Sequence, residues 1–344
     1  MKEEFNPSGV GVKNGNFIGL PYNYDQAKIV LIPAPWDATV SYRAGTSNGP
    51  KNILDTSYQL DLYDAQVEDA WKIGIYFMPI NTEMQQLSNK TRILAEKVIA
   101  FLEEGYDIDA DENMSNLLDQ VNQNSITFNN WVYETTSKAL NDNKLVGLVG
   151  GDHSTPLGYY KALSENNKSF GILHIDAHQD LRNAYEGFTY SHASIFYNTL
   201  KFNNINKIVQ IGIRDNCDEE INLVQQSENR VVVFSDFDIR SKLLSGITFK
   251  QIATEIIAEL PDNVYISFDI DGLDPALCPN TGTPVPGGFS FNEIVFILNE
   301  LVESGKKIIG FDLVEVGGDQ EWDGNVGARM VYKLSNLMYK SQKN

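Results

Sequence analysis

Short runs of aliphatic and β-branched residues recur along the chain, and the stretches between them place apolar residues at helical spacing. Because these runs are nearly continuous instead of alternating with polar residues, they are typical of strands buried on both faces of a parallel sheet. Strands that alternate with helices in this way predict a three-layer α/β fold. Eight runs have this character: KIVLIPAP (28–35), KIGIYFMP (72–79), LVGLVGG (145–151), FGILHIDAH (170–178), KIVQIGIR (207–214), RVVVFSDFD (230–238), VYISFDID (264–271) and KIIGFDLVEV (307–316).

The stretches between the runs carry helix signals. In SFNEIVFILNELVESG, Ser290 and Glu293 have the spacing of a capping box, and Gly305 follows as a helix stop. The segment from Glu103 to Ser125 is acidic and rich in asparagine, and we expect an irregular surface excursion there. The sequence has no linker rich enough in Pro, Gly or Ser to divide it, so one large domain is predicted.

Composition narrows the classes of function. The 344 residues are 42% hydrophobic, enough for a real core, and no apolar run reaches the roughly 18 residues of a membrane span. A net charge of −19 disfavours nucleic acid and anionic membranes as partners and favours cationic ligands. Two cysteines and an N-terminus without the pattern of a signal peptide predict a cytoplasmic protein.

The stretch HIDAHQDLR (174–182) holds two of the four histidines of the chain and alternates them with carboxylates. If the strand that begins at Phe170 continues through it, every second residue projects to the same face. That face would carry His174, Asp176, His178 and Asp180.

Acidic residues and histidines also close three other runs. Asp152 and His153 follow LVGLVGG, Asp269 and Asp271 end VYISFDID, and Glu315 lies near the end of KIIGFDLVEV. Ligands of open parallel sheets bind beyond the carboxyl ends of the strands, where these side chains would meet. The pattern therefore predicts that five aspartates and two histidines converge at one edge of the sheet.

So many buried carboxylates need compensation, because each uncompensated charge costs on the order of several kcal/mol. Two divalent ions would supply it, and mixed carboxylate and imidazole ligands suit Mn²⁺, Ni²⁺, Co²⁺ or Zn²⁺. Two such ions roughly 3.5–4 Å apart can share a water and lower its pKa. The predicted chemistry is hydrolysis.

Taken together, these motifs resemble the ureohydrolases, the family of arginases, agmatinases and related guanidino-compound hydrolases, and most closely its agmatinase-like members. The resemblance covers roughly residues 28 to 335 and implies a three-layer α/β/α sandwich with an eight-stranded parallel sheet. It divides the chain into an N-terminal extension (1–27) and a single catalytic domain (28–344) with an insertion around 103–125. The motifs that carry it are GGDHS (150–154), DAHQD (176–180), YSHAS (190–194), SFDIDGLDP (267–275) and GTPVPGG (282–288).

The resemblance also implies a dinuclear site, with Mn²⁺ as the first choice and Ni²⁺ or Co²⁺ as alternatives. One ion would take His153, Asp176, Asp180 and Asp269, and the other His178, Asp176, Asp269 and Asp271. His192 would shuttle protons and Glu315 would bind the guanidinium. The family pattern places no ligand at His174, which we expect to support a ligand or to pack in the core. Because the family forms trimers and hexamers, a homo-trimer or homo-hexamer is expected.

The substrate is predicted less sharply than the reaction. The segments DLRNAYEGFTYSHASIFY and PWDATVSYRAGTSNGP resemble agmatinases, which favours cleavage of agmatine to putrescine and urea. Arg182 stands where animal-type arginases usually carry an asparagine, yet its guanidinium could pair with a substrate carboxylate. Arginine, guanidinobutyrate and guanidine therefore stay open as substrates. A metal-binding or interaction protein that has lost activity, and an amide hydrolase of the deacetylase type, are the alternatives in other classes.

Overall fold

The computed structural model describes residues 5–166 and 169–343, and its centre is one sheet of eight parallel strands. The order across the sheet is β2-β1-β3-β8-β7-β4-β5-β6. Each predicted run contains one strand, so the eight-stranded parallel sheet is confirmed. The strands are β1 (Ile29–Ala34), β2 (Ile75–Phe77), β3 (Leu145–Gly150), β4 (Phe170–Ile175), β5 (Ile205–Ile211), β6 (Val231–Phe234), β7 (Asn263–Asp269) and β8 (Lys307–Val314).

Helices cover both faces of the sheet, which makes the predicted α/β/α sandwich. One face packs on α1 (Gly49–Ser57), α7 (Asp236–Leu244), α8 (Phe249–Ala258), α9 (Phe291–Glu303) and α10 (Glu321–Ser341). The other packs on α2 (Thr82–Glu103), α3 (Glu112–Asn141), α4 (Leu157–Asn166), α5 (Ile195–Thr199) and α6 (Asp218–Gln226). Within the part of the chain that the structure describes, no helix is long and apolar enough to cross a bilayer.

Side chains of each strand alternate between two apolar cores. In β4, Leu173 and Ile175 lie in one core, whereas Phe170 and Ile172 lie in the other. Both sets are fully buried, which explains the near-continuous apolar runs. The predicted capping box of Ser290 is present at the start of α9.

The strand order decides which strand ends meet. β3 and β4 follow each other in the chain, but β8 and β7 lie between them in the sheet. The registers align Val149 with Leu313, Asp269 with Val314, and Phe268 with Ile175. The carboxyl ends of β3, β8, β7 and β4 are therefore neighbours, at a reversal of strand order where α/β proteins bind ligands.

The expectation of an irregular excursion over residues 103–125 was wrong in its conformation. After a short turn at Ile108–Ala110, the 30-residue helix α3 begins at Glu112, capped by the side chain of Asp111. Several of its polar residues, among them Asn113, Asn116 and Gln123, are exposed, while Val121 packs with α2 and with Phe188. Its solvent-facing composition concealed the helical spacing of its few apolar residues.

Residues before β1 also pack on the body of the protein. Phe17 and Leu20 are fully buried in the core that contains α10. The amide of Asn16 donates to the carbonyl of Ile75 at 3.0 Å, and its oxygen accepts the N–H of Phe77 at 2.7 Å. This part of the predicted extension therefore covers β2, at the edge of the sheet.

Candidate metal centre

Acidic and imidazole side chains lie together at the carboxyl ends of the four central strands. Asp176 directly follows β4, Asp269 ends β7, and Glu315 directly follows β8. His153 lies just after β3 in a turn where Oδ1 of Asp152 accepts the N–H of Ser154 at 2.9 Å. All of these side chains are buried, so their charges are held away from water.

His153 faces three of the predicted carboxylates. Its Nδ1 lies 2.9 Å from Oδ2 of Asp176, 3.1 Å from Oδ2 of Asp180 and 3.4 Å from Oδ2 of Asp269. These four side chains are the set predicted for one ion, and the structure brings them together.

His178 forms a second group with the remaining predicted ligands. Its Nδ1 lies 3.2 Å from Oδ2 of Asp271 and 3.5 Å from Oδ1 of Asp176. Asp176 thus faces His153 with one oxygen and His178 with the other, the arrangement expected of a bridging carboxylate. Asp269 also contacts the group around His178, because its Oδ1 accepts the backbone N–H of Asp271 at 2.8 Å.

These ligands do not alternate along one strand, and that expectation was wrong. β4 ends at Ile175, and only His174 of the alternating set lies on it. His178 pairs instead with Asp215 in an isolated parallel bridge. Asp180 has a φ of 54°, a left-handed conformation that is uncommon for aspartate and marks a functional site when the surroundings enforce it. A turn, not strand alternation, directs the last ligand inward.

The electrostatics of the two groups fit a pair of divalent cations. Burial, and next the carboxylate of Asp176, raises the pKa of Asp180 to about 7. Burial disfavours a charged His178, but Asp271 and Asp176 outweigh it and raise the pKa of His178 to about 12. Nδ1 of His153 is buried and, although three carboxylate oxygens lie within 3.4 Å, it makes no hydrogen bond of good geometry to a described residue. Four ionised aspartates carry −4, which two divalent ions would neutralise.

A polar cluster behind His153 determines which of its two ring nitrogens carries the proton. Oγ of Ser267 lies 2.9 Å from Nε2 of His153, donates to Asp312 at 3.2 Å and accepts from Tyr160 at 2.8 Å. Because Ser267 has only one proton to donate, Nε2 of His153 is the donor and Nδ1 is left as a free lone pair. These residues were not predicted to belong to the site, although Ser267 and Asp312 are polar positions inside buried runs.

His174 supports a ligand, one of the two roles expected for it. The side-chain amide of Gln210 donates to Nδ1 of His174 at 2.9 Å and to the carbonyl of Gln179 at 2.8 Å. Nδ1 is therefore an acceptor, and Nε2 carries the proton that it donates to Oδ2 of Asp176 at 2.7 Å. Burial lowers the pKa of His174 to about 4 and keeps the ring neutral. A protonated Nε2 cannot bind a metal, so His174 orients Asp176.

Glu315 lies beside the candidate metal ligands with one carboxylate oxygen free. Its φ is 61°, and its Oε1 accepts the N–H of His153 at 3.0 Å. Oε2 is buried without a partner among the described residues, and a Cβ on Gly282 would lie only 3.2 Å from it. Burial, and next the carboxylate of Asp152, raises the pKa of Glu315 well above its usual range. A cation at Oε2 would hold this carboxyl ionised.

A cavity of about 160 Å³ opens at the centre. Among its lining residues are four of those predicted from the sequence, namely His178, Asp180, Arg182 and His192. Its wall also includes Ser41, Tyr185, Asp215, Glu220 and Thr283, which the sequence analysis did not single out. Glu315 is not part of the lining, but its neighbour Gly282 directly precedes Thr283.

The cavity wall carries an arginine, Arg182, and an exposed aspartate, Asp215, whose ion-pair partner is a histidine. The guanidinium of Arg182 lies 4.9 Å from the ring centroid of Tyr185, and no carboxylate in the described ranges forms an ion pair with it. The carboxylate of Asp215 is two-thirds exposed and its ion-pair partner is Nε2 of His178, at 4.0 Å. Both charges are therefore available to a ligand.

His192 completes the wall in a short helical turn, His192–Ser194. Oγ of Ser191 lies 3.3 Å from its Nδ1, and the ring of Tyr185 packs edge-on against it. Burial, and next the positive charge of His178, lowers the pKa of His192 to about 3. The imidazole is thus neutral near pH 7.

Known proteins share this architecture. N(1)-aminopropylagmatine ureohydrolase of Thermus thermophilus is 30% identical over 317 residues, covering 91% of each chain. The agmatinase of Halalkalibacterium halodurans is 27% identical over 300 residues, covering 87% of each. The crystal structure of agmatine ureohydrolase of Thermoplasma volcanium has the same fold, with a TM-score of 0.69 at 24% identity and 94% coverage of both chains.

The family assignment agrees with the motifs and with the site. The model of the arginase family matches residues 27–337, nearly the whole chain. Ureohydrolases of this family depend on a dinuclear metal site, and the clustered histidines and aspartates described above suit one. The chain therefore belongs to the arginase family, and it is a ureohydrolase.

Proposed function

We propose that this ureohydrolase cleaves agmatine to putrescine and urea. The observation that carries the proposal is the free, buried Oε2 of Glu315 beside two groups of metal ligands that share Asp176. A carboxylate there can pair with a planar guanidinium and orient its carbon toward the metal ligands. The names of the relatives, agmatinase and aminopropylagmatine ureohydrolase, favour substrates of this class.

Two divalent ions would be held by the residues predicted for them, His153, Asp176, Asp180 and Asp269 for one and His178, Asp176, Asp269 and Asp271 for the other. We propose Mn²⁺ first and Ni²⁺ or Co²⁺ next, because imidazole and carboxylate together suit these metals. When bound, such a pair lowers the pKa of a shared water and so supplies a nucleophile near neutral pH.

The protein's own side chains would then orient the substrate and move protons. Glu315 holds the guanidinium, and the hydrogen bond from His153 keeps its carboxylate in place. His192 lines the cavity as a neutral imidazole, so one ring nitrogen carries a proton that it can give to the departing amine while the other accepts a replacement. Its partner Ser191 and the ring of Tyr185 hold the imidazole in the cavity wall.

One acidic residue in the cavity wall favours a substrate amine. Asp215 offers a carboxylate without an arginine or lysine partner among the described residues, and this suits the ammonium of agmatine. The guanidinium of Arg182 packs against the ring of Tyr185 and forms no ion pair with a carboxylate of the described residues. A substrate with a carboxylate, such as arginine or guanidinobutyrate, is the second candidate, because the guanidinium of Arg182 is also unpaired.

The remaining expectations concern the whole molecule. We propose a homo-trimer or homo-hexamer in the cytoplasm. We also propose that residues 1–27 are an extension to a single catalytic domain (28–344) and that the region around 103–125 is an insertion in it.

The test is a panel of guanidino compounds given to the Mn²⁺-loaded enzyme, with urea as the measured product. Agmatine, arginine, guanidinobutyrate and guanidine should be compared at equal concentration, and agmatine should have the highest kcat/KM. A higher value for a guanidino acid or for guanidine would replace agmatine as the substrate. Absence of urea from every compound would favour an inactive member of the family.

A further inference from the structure

The side chain of Arg214 makes an unusual set of hydrogen bonds next to the metal ligands. It follows β5, and every acceptor of its guanidinium is a backbone carbonyl. Nη2 donates to Asp271 at 2.7 Å, to Val285 at 2.9 Å and to Leu273 at 3.3 Å. Nε also donates to Val285, and Nη1 to Gly212, each at 3.2 Å. Three chain segments thus meet at one side chain.

Among the described residues, no carboxylate forms an ion pair with Arg214. Its guanidinium instead holds backbone carbonyl groups in place. A planar guanidinium is suited to this because its donors leave in several fixed directions, whereas a lysine has one compact ammonium. Arg240 differs, since its guanidinium forms ion pairs with Glu293 and Asp236.

The loop of the GTPVPGG motif (282–288) is shaped around this side chain. Gly287 and Gly288 have φ values of 107° and 90°, which disfavour other residues. A Cβ on Gly287 would lie 2.7 Å from Oδ2 of Asp236 and 3.1 Å from Cδ of Arg214, and one on Gly288 would lie 2.6 Å from the carbonyl oxygen of Leu273 and 3.0 Å from Nη2 of Arg214. The paired glycines let the loop close on the arginine.

Two of the three segments that Arg214 holds also carry parts of the site. The carboxylate of Asp271 faces His178 and accepts the N–H of Ala177 at 3.0 Å. The 282–288 loop brings Gly282 against Glu315 and Thr283 into the cavity wall. One side chain therefore links a metal ligand to the loop beside the guanidinium-binding carboxylate.

We propose that Arg214 is a positioning residue that couples the second metal position to the substrate loop. This inference rests on the proposed function, because it assigns Asp271 to a metal and Glu315 to the guanidinium. Without the guanidinium donors of Arg214, the 282–288 loop could move away from Asp271. The group of side chains around His153 would keep its own contacts. The effect should be selective, raising KM and weakening one of two ions.

Arg230 offers a matched control. Its guanidinium also donates only to carbonyls, those of Leu200, Phe202 and Ile205, at distances of 2.7 to 2.9 Å. It lies at the start of β6, at the opposite edge of the sheet from the site. Arg230→Lys thus removes a comparable set of guanidinium hydrogen bonds away from the site. Its Tm measures what the loss of such contacts does to stability alone.

The experiment compares Arg214→Lys, Arg230→Lys and wild type for Tm, for Mn²⁺ retained per chain after gel filtration, and for KM and kcat with agmatine. Both variants should lower Tm. Only Arg214→Lys should raise KM, by roughly tenfold for the loss of charge-assisted contacts, and retain less than the full complement of Mn²⁺. A wild-type KM and Mn²⁺ content in folded Arg214→Lys would overturn the proposal.

Gly287→Ala is a second variant that tests the same coupling if Arg214→Lys fails to fold. Its new methyl would press on Asp236 and on Cδ of Arg214 and so displace the loop while the arginine itself is retained, and it should reproduce the rise in KM. An unchanged KM in folded Gly287→Ala would contradict the coupling. If wild type releases no urea from agmatine, the proposed substrate fails, but Mn²⁺ retention in the three proteins still decides the role of Arg214.

Discussion

The backbone N–H of His153 donates a hydrogen bond of 3.0 Å to Oε1 of Glu315, which ties a candidate metal ligand to the candidate guanidinium-binding group. Both residues follow strands that are neighbours in the sheet. The contact occupies one oxygen and leaves Oε2 buried without a partner among the described residues. The carboxylate is therefore held at a fixed angle to the metal ligands before any substrate arrives.

Glu315→Gln should separate substrate binding from metal binding. The amide oxygen can still accept the N–H of His153, so the local structure stays, but the negative charge that pairs with a guanidinium is lost. We expect unchanged Mn²⁺ content and a loss in kcat/KM equivalent to about 2–4 kcal/mol. Glu303→Gln, which removes an exposed partner of Lys340, is the control and should keep full activity. A near-wild-type rate for Glu315→Gln would refute its role.

Two metal ions per chain are expected after loading with Mn²⁺, and chelation should abolish activity. Asp271 faces His178 but is not among the carboxylates within 4 Å of His153. Asp271→Ala should therefore remove mainly one ion. Elemental analysis that finds a single ion, or none, in the loaded wild type would rule out the dinuclear site.

Arg182→Ala and Asp215→Asn should have opposite effects on the two substrate classes. If the far end of the substrate is an ammonium, loss of Asp215 lowers kcat/KM for agmatine, and loss of Arg182 leaves it unchanged or raises it. If that end is a carboxylate, Arg182 contributes roughly 1.5–3 kcal/mol, and its loss lowers kcat/KM by one to two powers of ten. Equal effects of Arg182→Ala on agmatine and arginine would make Arg182 structural.

Glu186 should make stability depend on pH. Burial, and next the carboxylate of Glu103, raises the pKa of Glu186 from 4.5 to about 7, and Oε2 has no partner among the described residues. Between these pH values the folded protein holds more protons than the unfolded chain, so stability falls as pH rises through this window. Glu186→Gln should raise Tm at pH 8 and change it little at pH 5. Thermal unfolding measures both, with the exposed Glu104→Gln as a control that changes neither.

Much of the site was predictable because its ligands are clustered in short motifs at strand ends. The aspartates and histidines of GGDHS, DAHQD and SFDID were expected to meet, and the structure places His153 and His178 within 3.5 Å of the carboxylates of Asp176, Asp180, Asp269 and Asp271, whereas Asp152 bonds to Ser154. The cluster of Ser267, Asp312 and Tyr160 behind His153 was missed. These residues come from three separate elements, and only packing joins them.

The sequence by itself determined the order of the strands along the chain, the residues at the strand ends and the family, since period, composition and motif spacing are local properties. Strand order in the sheet depends on distant segments, and only the tertiary structure decided that β8 and β7 lie between β3 and β4. The role of α3 was also decided there. Asn122 accepts the N–H of Thr189 at 2.9 Å, and Val121 packs with Phe188. A segment that looked like a surface excursion therefore supports the loop that carries Tyr185 and His192, because burial on one face of a helix is a property of its neighbours.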